Sequence, residues 1–431
     1  MKVLIVIYSY YPKISPRAFR WSAISEYLVK KGNDVDVICA WSPGLIRNER
    51  INCVNIYRVG NTPIEIIRNR YNKNIFKKNK ILKKNTELKN VLSLVKWVNI
   101  NIWRKICWPD PICLWFFPAI KKAKELVKIN KYNVLISVSL PFTPHLIGLK
   151  IKKYYPGITW VMDIGDPFYF LYSTPTNNHK LYKKINYLIE SKSLKCADRI
   201  AVTTRGTLEK YINIFPESTR KIHVIPPLIS STNKIKSKNS IFINHDKIKL
   251  VFMGTMYKKI RNPRFLLKVF NKLLDTNLAE RLELHIFGNI NDCFDFFIPC
   301  KEILNKKIFI HGKVNHEIAL QALSDADFLI NIGNTVSYQL ASKVAEYANS
   351  GKPIINFSEN KMDASIIFFN KYPASLNLLE KDYIANSGNI TKVIDFIENP
   401  PIIKPLILKK FLANYQIEKV TESYRKLFES R

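Results

Sequence analysis

Short apolar runs alternate with amphipathic stretches along most of the chain, and this alternation restricts the fold more than any other feature. Lys2–Tyr8 (KVLIVIY) is continuously apolar, as a strand buried on both faces of a parallel sheet must be. A two-proline loop follows. Arg17–Lys31 then carries Phe19, Ala23, Tyr27 and Leu28 at helical spacing, with Gly32-Asn33 to stop it. Asp34–Ala40 (DVDVICA) is the next apolar run and completes a βαβ unit. The same rhythm predicts strands at Asn133–Val138, Thr159–Met162, Arg199–Thr203 and Lys221–Ile225. Helices are expected between them at Pro118–Ile129, His145–Lys153, Tyr182–Cys196 and Thr207–Ile212.

A polar stretch, Ser230–Lys247, reads as a linker. Beyond it, strands are expected at Lys249–Met253, Leu282–Phe287, Ile308–His311, Phe328–Ile332 and Pro353–Phe357. Helices are expected at Pro263–Leu274, Glu317–Ser324 and Leu340–Asn349. The pattern predicts an α/β chain of two Rossmann-like, doubly wound domains, 1–230 and 248–405, with a helical tail at 406–431. A length of 431 residues suits two such cores. Ligands of these sheets bind at the carboxyl ends of strands, so the expected site is a cleft between the domains.

Several chemistries are excluded by what these loops lack. No GxGxxG follows the first strand, and neither GxxxxGK[ST] nor GxSxG occurs, which argues against dinucleotide, P-loop and nucleophile-elbow chemistry. Seven cysteines without a CxxC argue against a structural zinc site or a disulfide framework. No run of 18 uncharged apolar residues is present, and MKVLIVIYSYYP has no small-residue cleavage site. A cytoplasmic chain that does not cross a membrane by a helix is expected.

The net charge of +34 points to anionic partners, although a low-GC composition rich in Lys, Asn and Ile accounts for part of it. From Ile64 to Cys107 twelve Lys or Arg stand against Glu65 and Glu87, and Trp97, Trp103 and Trp108 close the segment. Cations interleaved with tryptophan suit an anionic membrane surface, single-stranded nucleic acid, or a solvated insertion with inward-packed aromatics. The membrane is the expected partner of this insertion, about 64–108, and nucleic acid is not.

Three local groups offer chemistry. Gly254-Thr255 ends a strand and precedes Lys258, Lys259 and Arg261, a combination that can cradle a diphosphate. Ala341-Ser342-Lys343 opens a helix with Glu346 one turn in; free amides, a hydroxyl and a cation suit phosphate, and the carboxylate suits the hydroxyls of a ribose. The same residues also serve as an ordinary helix start. His145, after SLPFTP, and Asp163 and Asp166, in DIGDPF, each follow a strand and suit acid/base or metal work, or simple capping.

In their order and spacing, ISPRAFRWSAISEYLVKKGNDVDVIC, WPDPICLWFFPAIKKAKEL, SVSLPFTPHLIGLKI, DIGDPF, CADRIAVTTRGT, FMGTMYKKIRNP, LHIFGN, HGKVNHEIALQALSDADFLINIGN and SKVAEYANSGKPII resemble the retaining GT-B glycosyltransferases of family four. The resemblance spans nearly the whole chain. It implies a sugar moved from a nucleoside diphosphate sugar, a UDP-sugar by preference, to a glycan or lipid-linked acceptor of the cell envelope, with retention and without metal or cofactor. It implies a second domain that binds donor and a first that binds acceptor. Glu346 matches the second glutamate of the family's Glu-x7-Glu, which holds the ribose. Ala341, Ser342 and Lys343 match the turn at the distal phosphate, and Gly254 the glycine before the phosphate-binding cations. Thr255 stands where Arg is typical, leaving Lys258, Lys259 or Arg261 to supply charge. Val314 lies where backbone meets the base. His145 matches the histidine that reaches the donor sugar, and Asp166 an aspartate near the acceptor. Tyr338 replaces the first motif glutamate, and Ser15-Pro16-Arg17 replaces a glycine pair, with Arg17 and Arg20 placed toward the acceptor. A sugar-nucleotide epimerase, and a degenerate lipid- or nucleic-acid-binding protein, are the alternatives.

Overall fold

In a computed structural model of the chain, residues 1–13, 15–60, 102–229, 240–341, 343–385 and 389–429 are described. The chain divides into two units: Met1–Thr203, Tyr211–Ile225 and Thr421–Arg431, and Thr204–Lys210 with Pro226–Val420. Each unit is built on a predominantly parallel sheet of Rossmann-like type.

The first sheet places β1 (Lys2–Val6) between β2 (Asp34–Ala40) and β5 (Val134–Ser139), both parallel to it. Its order is β3-β4-β2-β1-β5-β6-β7-β8, with β6 at Thr159–Ile164, β7 at Arg199–Val202 and β8 at Ile222–Val224. Helices α1 (Pro16–Lys30), α2 (Phe116–Ile129), α3 (Thr143–Tyr154), α4 (His179–Cys196) and α5 (Arg205–Ile214) form the crossovers. Val3, Leu4, Ile5 and Val6 are wholly buried, as a central strand covered on both faces requires.

One departure from the alternation is the hairpin of β3 (Asn48–Ile51) and β4 (Val54–Val59), which is antiparallel. Its two-residue turn, Asn52-Cys53, has positive φ at both positions without a glycine. The usual Asn-Gly signal of such a turn is therefore missing from the sequence.

The second sheet runs β11-β10-β9-β12-β13-β14. Its strands are β9 (Ile248–Met253), β10 (Leu282–Phe287), β11 (Ile308–Gly312), β12 (Phe328–Ile332), β13 (Ile354–Ser358) and β14 (Ser375–Leu379). Around them lie α6 (Arg264–Leu273), α7 (His316–Asp325), α8 (Lys343–Ser350), α9 (Ala364–Phe369), α10 (Glu380–Ala385) and α11 (Asn389–Glu398). One core, with Leu250, Phe252, Phe270, Leu284 and Ile330, lies under α6; another, with Val251, Met253, Leu329, Val344 and Tyr347, lies under α7 and α8. Strand β14 and helices α9–α11 extend this unit beyond the elements anticipated from sequence.

The tail forms α12 (Pro405–Leu412) and α13 (Ile417–Glu429), and from Thr421 onward it belongs to the first unit. Residues 230–239 of the linker lie outside the described residues; from 240 the chain packs on the second sheet, with the Phe242 ring 4.5 Å from that of His285. Most of the basic insertion, 64–101 with Trp97, also lies outside them. Trp103 and Trp108 donate their indole N–H groups to the Pro111 carbonyl (2.9 Å) and to Asn186 Oδ1 (3.0 Å), which ties both rings into the first unit. Among the described residues no helix is long and apolar enough to cross a membrane.

Candidate functional site

In the second unit, the carboxyl ends of β9 and β10 are closed against each other. Gly254 N donates to the Phe287 carbonyl (2.9 Å) and Met256 N to the Asn289 carbonyl (2.8 Å). Gly288 has φ +124°, and a β-carbon there would lie 1.8 Å from the Gly254 carbonyl oxygen. Only glycine lets these two loops approach so closely. The FMG and FGN segments therefore form one backbone shelf.

Helix α8 is fastened to that shelf. The Tyr347 hydroxyl accepts from Met253 N (2.7 Å) and donates to the Met253 carbonyl (3.2 Å). This bond pair satisfies backbone at the last residue of β9 and fixes the first turn of α8 beside Gly254. The turn carries Lys343 and Glu346, about one-third exposed, with Lys343 Nζ 2.6 Å from Glu346 Oε2. Ala341 precedes it, half-buried on the α8 core, and Ser342 lies outside the described residues. A partly exposed i,i+3 pair of this kind is weak and can be opened by a ligand that supplies an anion to Lys343 and hydroxyls to Glu346.

The cations after Gly254 are not equivalent. Lys258 is exposed and pairs with Asp295 (3.0 Å), while its backbone N–H donates to Asp292 Oδ1 (3.0 Å). Lys259 is exposed, and its carbonyl accepts from the Thr335 hydroxyl (3.0 Å). Arg261 is half-buried; its Nη2 donates to Asn334 Oδ1 (2.8 Å) and its Nη1 to the Thr255 carbonyl (3.4 Å). Burial holds its pKa below the usual arginine value, and Arg261 Nε has no partner among the described residues. Asn334 in turn donates to the Gln339 carbonyl (2.8 Å). Arg261 thus braces the loop after β9 against the loop after β12, where Tyr338 is buried. Val314 lies beyond β11, half-buried against the α7 and α8 core.

The first unit treats its candidates differently. Asp163, at the end of β6, is buried and accepts from Trp21 Nε1 and from the Tyr424 hydroxyl of α13, each at 2.7 Å. Arg17 Nη1 lies 3.6 Å from it, and the Arg17 guanidinium occupies the space where a side chain on Gly165 would begin. Arg20 is buried, 3.2 Å from the Tyr424 hydroxyl and 3.5 Å from the Ile225 carbonyl. The acceptor contact expected of Arg20 is therefore replaced by an internal brace, because α13 covers its head group.

His145 is 1% exposed in the first turn of α3. Its Nδ1 lies 2.7 Å from Ser137 Oγ, which accepts from Trp160 Nε1 (2.9 Å). Burial lowers its pKa to about 3, so the ring is neutral, and Nε2 has no partner among the described residues. A Ser137 hydroxyl that donates to Nδ1 leaves the proton on Nε2. The start of α3 is capped from a distance: Asp110, buried, accepts from Thr143 N (2.8 Å), the Thr143 hydroxyl (2.9 Å) and Ile112 N (3.1 Å). Burial raises its pKa to about 6.

Asp166 is half-buried in the loop after β6. That loop is held by a residue sequence reading passed over. Glu190, buried on α4, accepts from Phe168 N (3.3 Å), Tyr169 N (2.7 Å) and the Tyr211 hydroxyl (2.6 Å). Burial raises its pKa to about 7. The Phe142 and Phe168 rings stack at 4.1 Å and join the His145 loop to the Asp166 loop. Tyr347, Tyr424 and Glu190 carry no local signal; each acts through a partner more than 20 residues away. Among the described residues no three His, Cys, Asp or Glu converge as a metal site.

No protein-family profile matches the chain, and no curated protein matches it by sequence. Solved structures match it in fold. The E. coli trehalose-6-phosphate synthase bound with UDP-2-fluoro glucose is 8% identical, with a TM-score of 0.64 and all of both chains covered. WaaG, a glycosyltransferase involved in lipopolysaccharide biosynthesis, is 10% identical, with a TM-score of 0.53 and all of both chains covered. A Listeria monocytogenes protein assigned as a UDP-N-acetylglucosamine 2-epimerase is 11% identical, with a TM-score of 0.53 and 98% of this chain and 94% of that one covered. The chain has the GT-B fold that these glycosyltransferases share.

Proposed function

We propose that this protein is a retaining, metal-independent glycosyltransferase that takes a sugar from a nucleoside diphosphate sugar, a UDP-sugar by preference. The observation that carries the reading is the first turn of α8, fastened by Tyr347 to the Gly254–Gly288 shelf and presenting Lys343 and Glu346. Backbone amides at the helix start, Lys343 and the cations of the 258–261 loop meet the diphosphate, and Glu346 accepts from the ribose hydroxyls. Val314 lies toward the base and Tyr338 takes the place of the glutamate that would touch the sugar. As the bond to the sugar breaks, charge grows on the departing diphosphate, and fixed donors that need no reorganisation stabilise it.

The first unit receives the acceptor, a glycan or lipid-linked intermediate of the cell envelope. In this reading Asp166 serves the attacking hydroxyl, and His145, whose neutral ring carries an unpartnered Nε2, serves the sugar. Arg17, partly exposed across Gly165, is the remaining cation toward the acceptor. The protein works at the inner face of the cytoplasmic membrane, bound peripherally, and nucleic acid is not a partner.

Thermal-shift screening of nucleotides and nucleotide sugars tests the reading. A true donor at 100 times its dissociation constant adds about 2.7 kcal/mol. No shift with any nucleotide or nucleotide sugar sinks it. The likeness to an epimerase gives the second reading a specific footing. Incubation of the identified donor without acceptor separates the two: epimerised donor supports the second reading, and unchanged donor supports transfer.

A further inference from the structure

Helix α4 is amphipathic in the wrong sense for a helix that only covers a sheet. Its buried positions are Asn186, Glu190, Ser191, Ser193 and Leu194, four of the five polar. Leu181, Ile185 and Leu188 point outward, 62%, 47% and 65% exposed. Four and three residues apart, they form one stripe, and Lys184, Lys192 and Lys195 fall on the same side of the helix. Lys180 and Lys183 are exposed as well, so every exposed charge on α4 itself is positive; its single acid, Glu190, faces inward, and Glu217, outside the helix, lies 3.4 Å from Lys195. The Tyr182 hydroxyl donates to the Ile106 carbonyl (2.7 Å), which brings the turn Arg104–Ile106 alongside. Ile102 and Ile106, 45% and 57% exposed, extend the apolar surface, with exposed Lys105 between them in sequence.

We infer that this face is the membrane-docking surface of the protein, and that its occupant is the headgroup boundary of an anionic lipid bilayer. Apolar side chains that alternate with lysines on one outward face match a surface whose outer layer is anionic and whose next layer is hydrocarbon. A second copy of the chain would set these lysines against the same lysines. A single-stranded nucleic acid would use stacking rings, and the stripe itself holds leucine and isoleucine. The site moves the expected contact from the body of the basic insertion to α4 and to the insertion's last turn, Arg104–Ile106. The inference gives a place to the lipid-linked acceptor and rests on that part of the proposed function.

The test is flotation of the full-length protein with vesicles of phosphatidylglycerol and phosphatidylcholine in equal parts, and with phosphatidylcholine alone. Two variants are compared: Leu181→Gln with Ile185→Gln and Leu188→Gln, and Lys184→Gln with Lys192→Gln and Lys195→Gln. All six positions are exposed, and the one ion pair among them, Lys195 with Glu217 at 3.4 Å, is itself solvent-exposed and weak, so both variants are expected to melt as the parent does. The parent binds the anionic vesicles. Each lysine at the surface contributes about fivefold, so the lysine variant loses at least about tenfold in partition. The apolar variant loses a similar factor, and what it retains falls steeply with salt. Equal binding of the parent to both vesicles, or undiminished binding by either variant, overturns the inference. So does binding of a single-stranded RNA that both variants lose, or a parent dimer that the apolar variant dissolves, if vesicle binding is unchanged. Nucleotide binding by the same variants is measured without vesicles: its absence with docking intact sinks the donor reading alone, and lost docking with nucleotide binding intact sinks this surface alone.

Discussion

The two units handle polar side chains at their strand ends in opposite ways. In the first, Asp163, Arg20, Glu190 and His145 are buried and bonded inward to residues brought from elsewhere in the chain. In the second, Lys343, Glu346, Lys258 and Lys259 remain exposed or partly exposed, and backbone plus Tyr347 does the holding. The first unit is organised around buried polar networks, where a missing partner is expensive. The second is organised around a glycine shelf, and its charged groups can exchange one another for a ligand. Residues of the first kind should therefore govern stability and those of the second kind binding.

The largest expected effect lies in the first unit. Asp163→Ala strips Trp21 and Tyr424 of their acceptor and removes the carboxylate beside Arg17 and Arg20. A loss of about 3–5 kcal/mol in unfolding free energy is expected. Urea melts followed by tryptophan fluorescence measure it. A cost under about 1 kcal/mol would show that the network is not what holds α13.

Glu346→Ala should do the reverse. A charged hydrogen bond lost to the ribose costs roughly 1.5–3 kcal/mol of donor binding, about ten- to a hundredfold. Stability should stay within about 0.5 kcal/mol, as for other surface substitutions. Calorimetric titration with the donor, beside a thermal melt, checks both. Unchanged donor affinity would remove Glu346 from the site.

Protonation sharpens the comparison within the first unit. The Glu190 carboxyl is raised to about 7 in the fold, above its ordinary range near 4.5. The folded state then binds more protons than the unfolded between these values, so this group's contribution is greatest below pH 4.5 and declines as pH rises through 7. His145 works the other way. Its pKa falls to about 3, so its contribution is present above pH 6.5 and is lost as pH falls toward 3. Glu190→Gln should remove the first dependence and leave the second. Relative to the parent, the variant should gain about 2 kcal/mol between pH 5 and pH 8. Identical pH profiles would mean that Glu190 titrates as an ordinary carboxylate.

Lys258→Gln is the smallest expected change. Its exposed bond to Asp295 is worth about 0–1 kcal/mol, so stability should barely move. Donor affinity should fall by no more than about fivefold, with Arg261 and Lys343 supplying most of the charge. A drop of a hundredfold would reassign the phosphate contact to Lys258.

Much of the fold was legible in sequence. Asp34–Ala40, Leu282–Phe287 and Phe328–Ile332 are strands with the boundaries their apolar runs suggest. Strands buried on both faces must be apolar throughout, and that requirement is local enough to read. The hairpin at Asn48–Val59 was not legible, because Asn52-Cys53 makes its turn without glycine. The sequence read Gly254 as following a strand and Lys343 and Glu346 as opening a helix, and they stand there in the structure. It also read His145 and Asp166 as following strands, and they stand in the first turn of α3 and in the loop after β6.

What each polar residue faces was a different matter. Arg20 reads as an exposed cation on α1 until Tyr424, 404 residues away, covers it. Glu190 reads as one more polar position on an amphipathic helix, yet it points inward while Leu181 and Leu188 point out. Sequence determined where strands, helices and glycine-dependent turns form, because backbone preference and apolar periodicity act over a few residues. Tertiary structure alone decided which charges are buried, because the hydrogen-bond partners that make burial tolerable come from distant segments and exist only once the sheets are assembled.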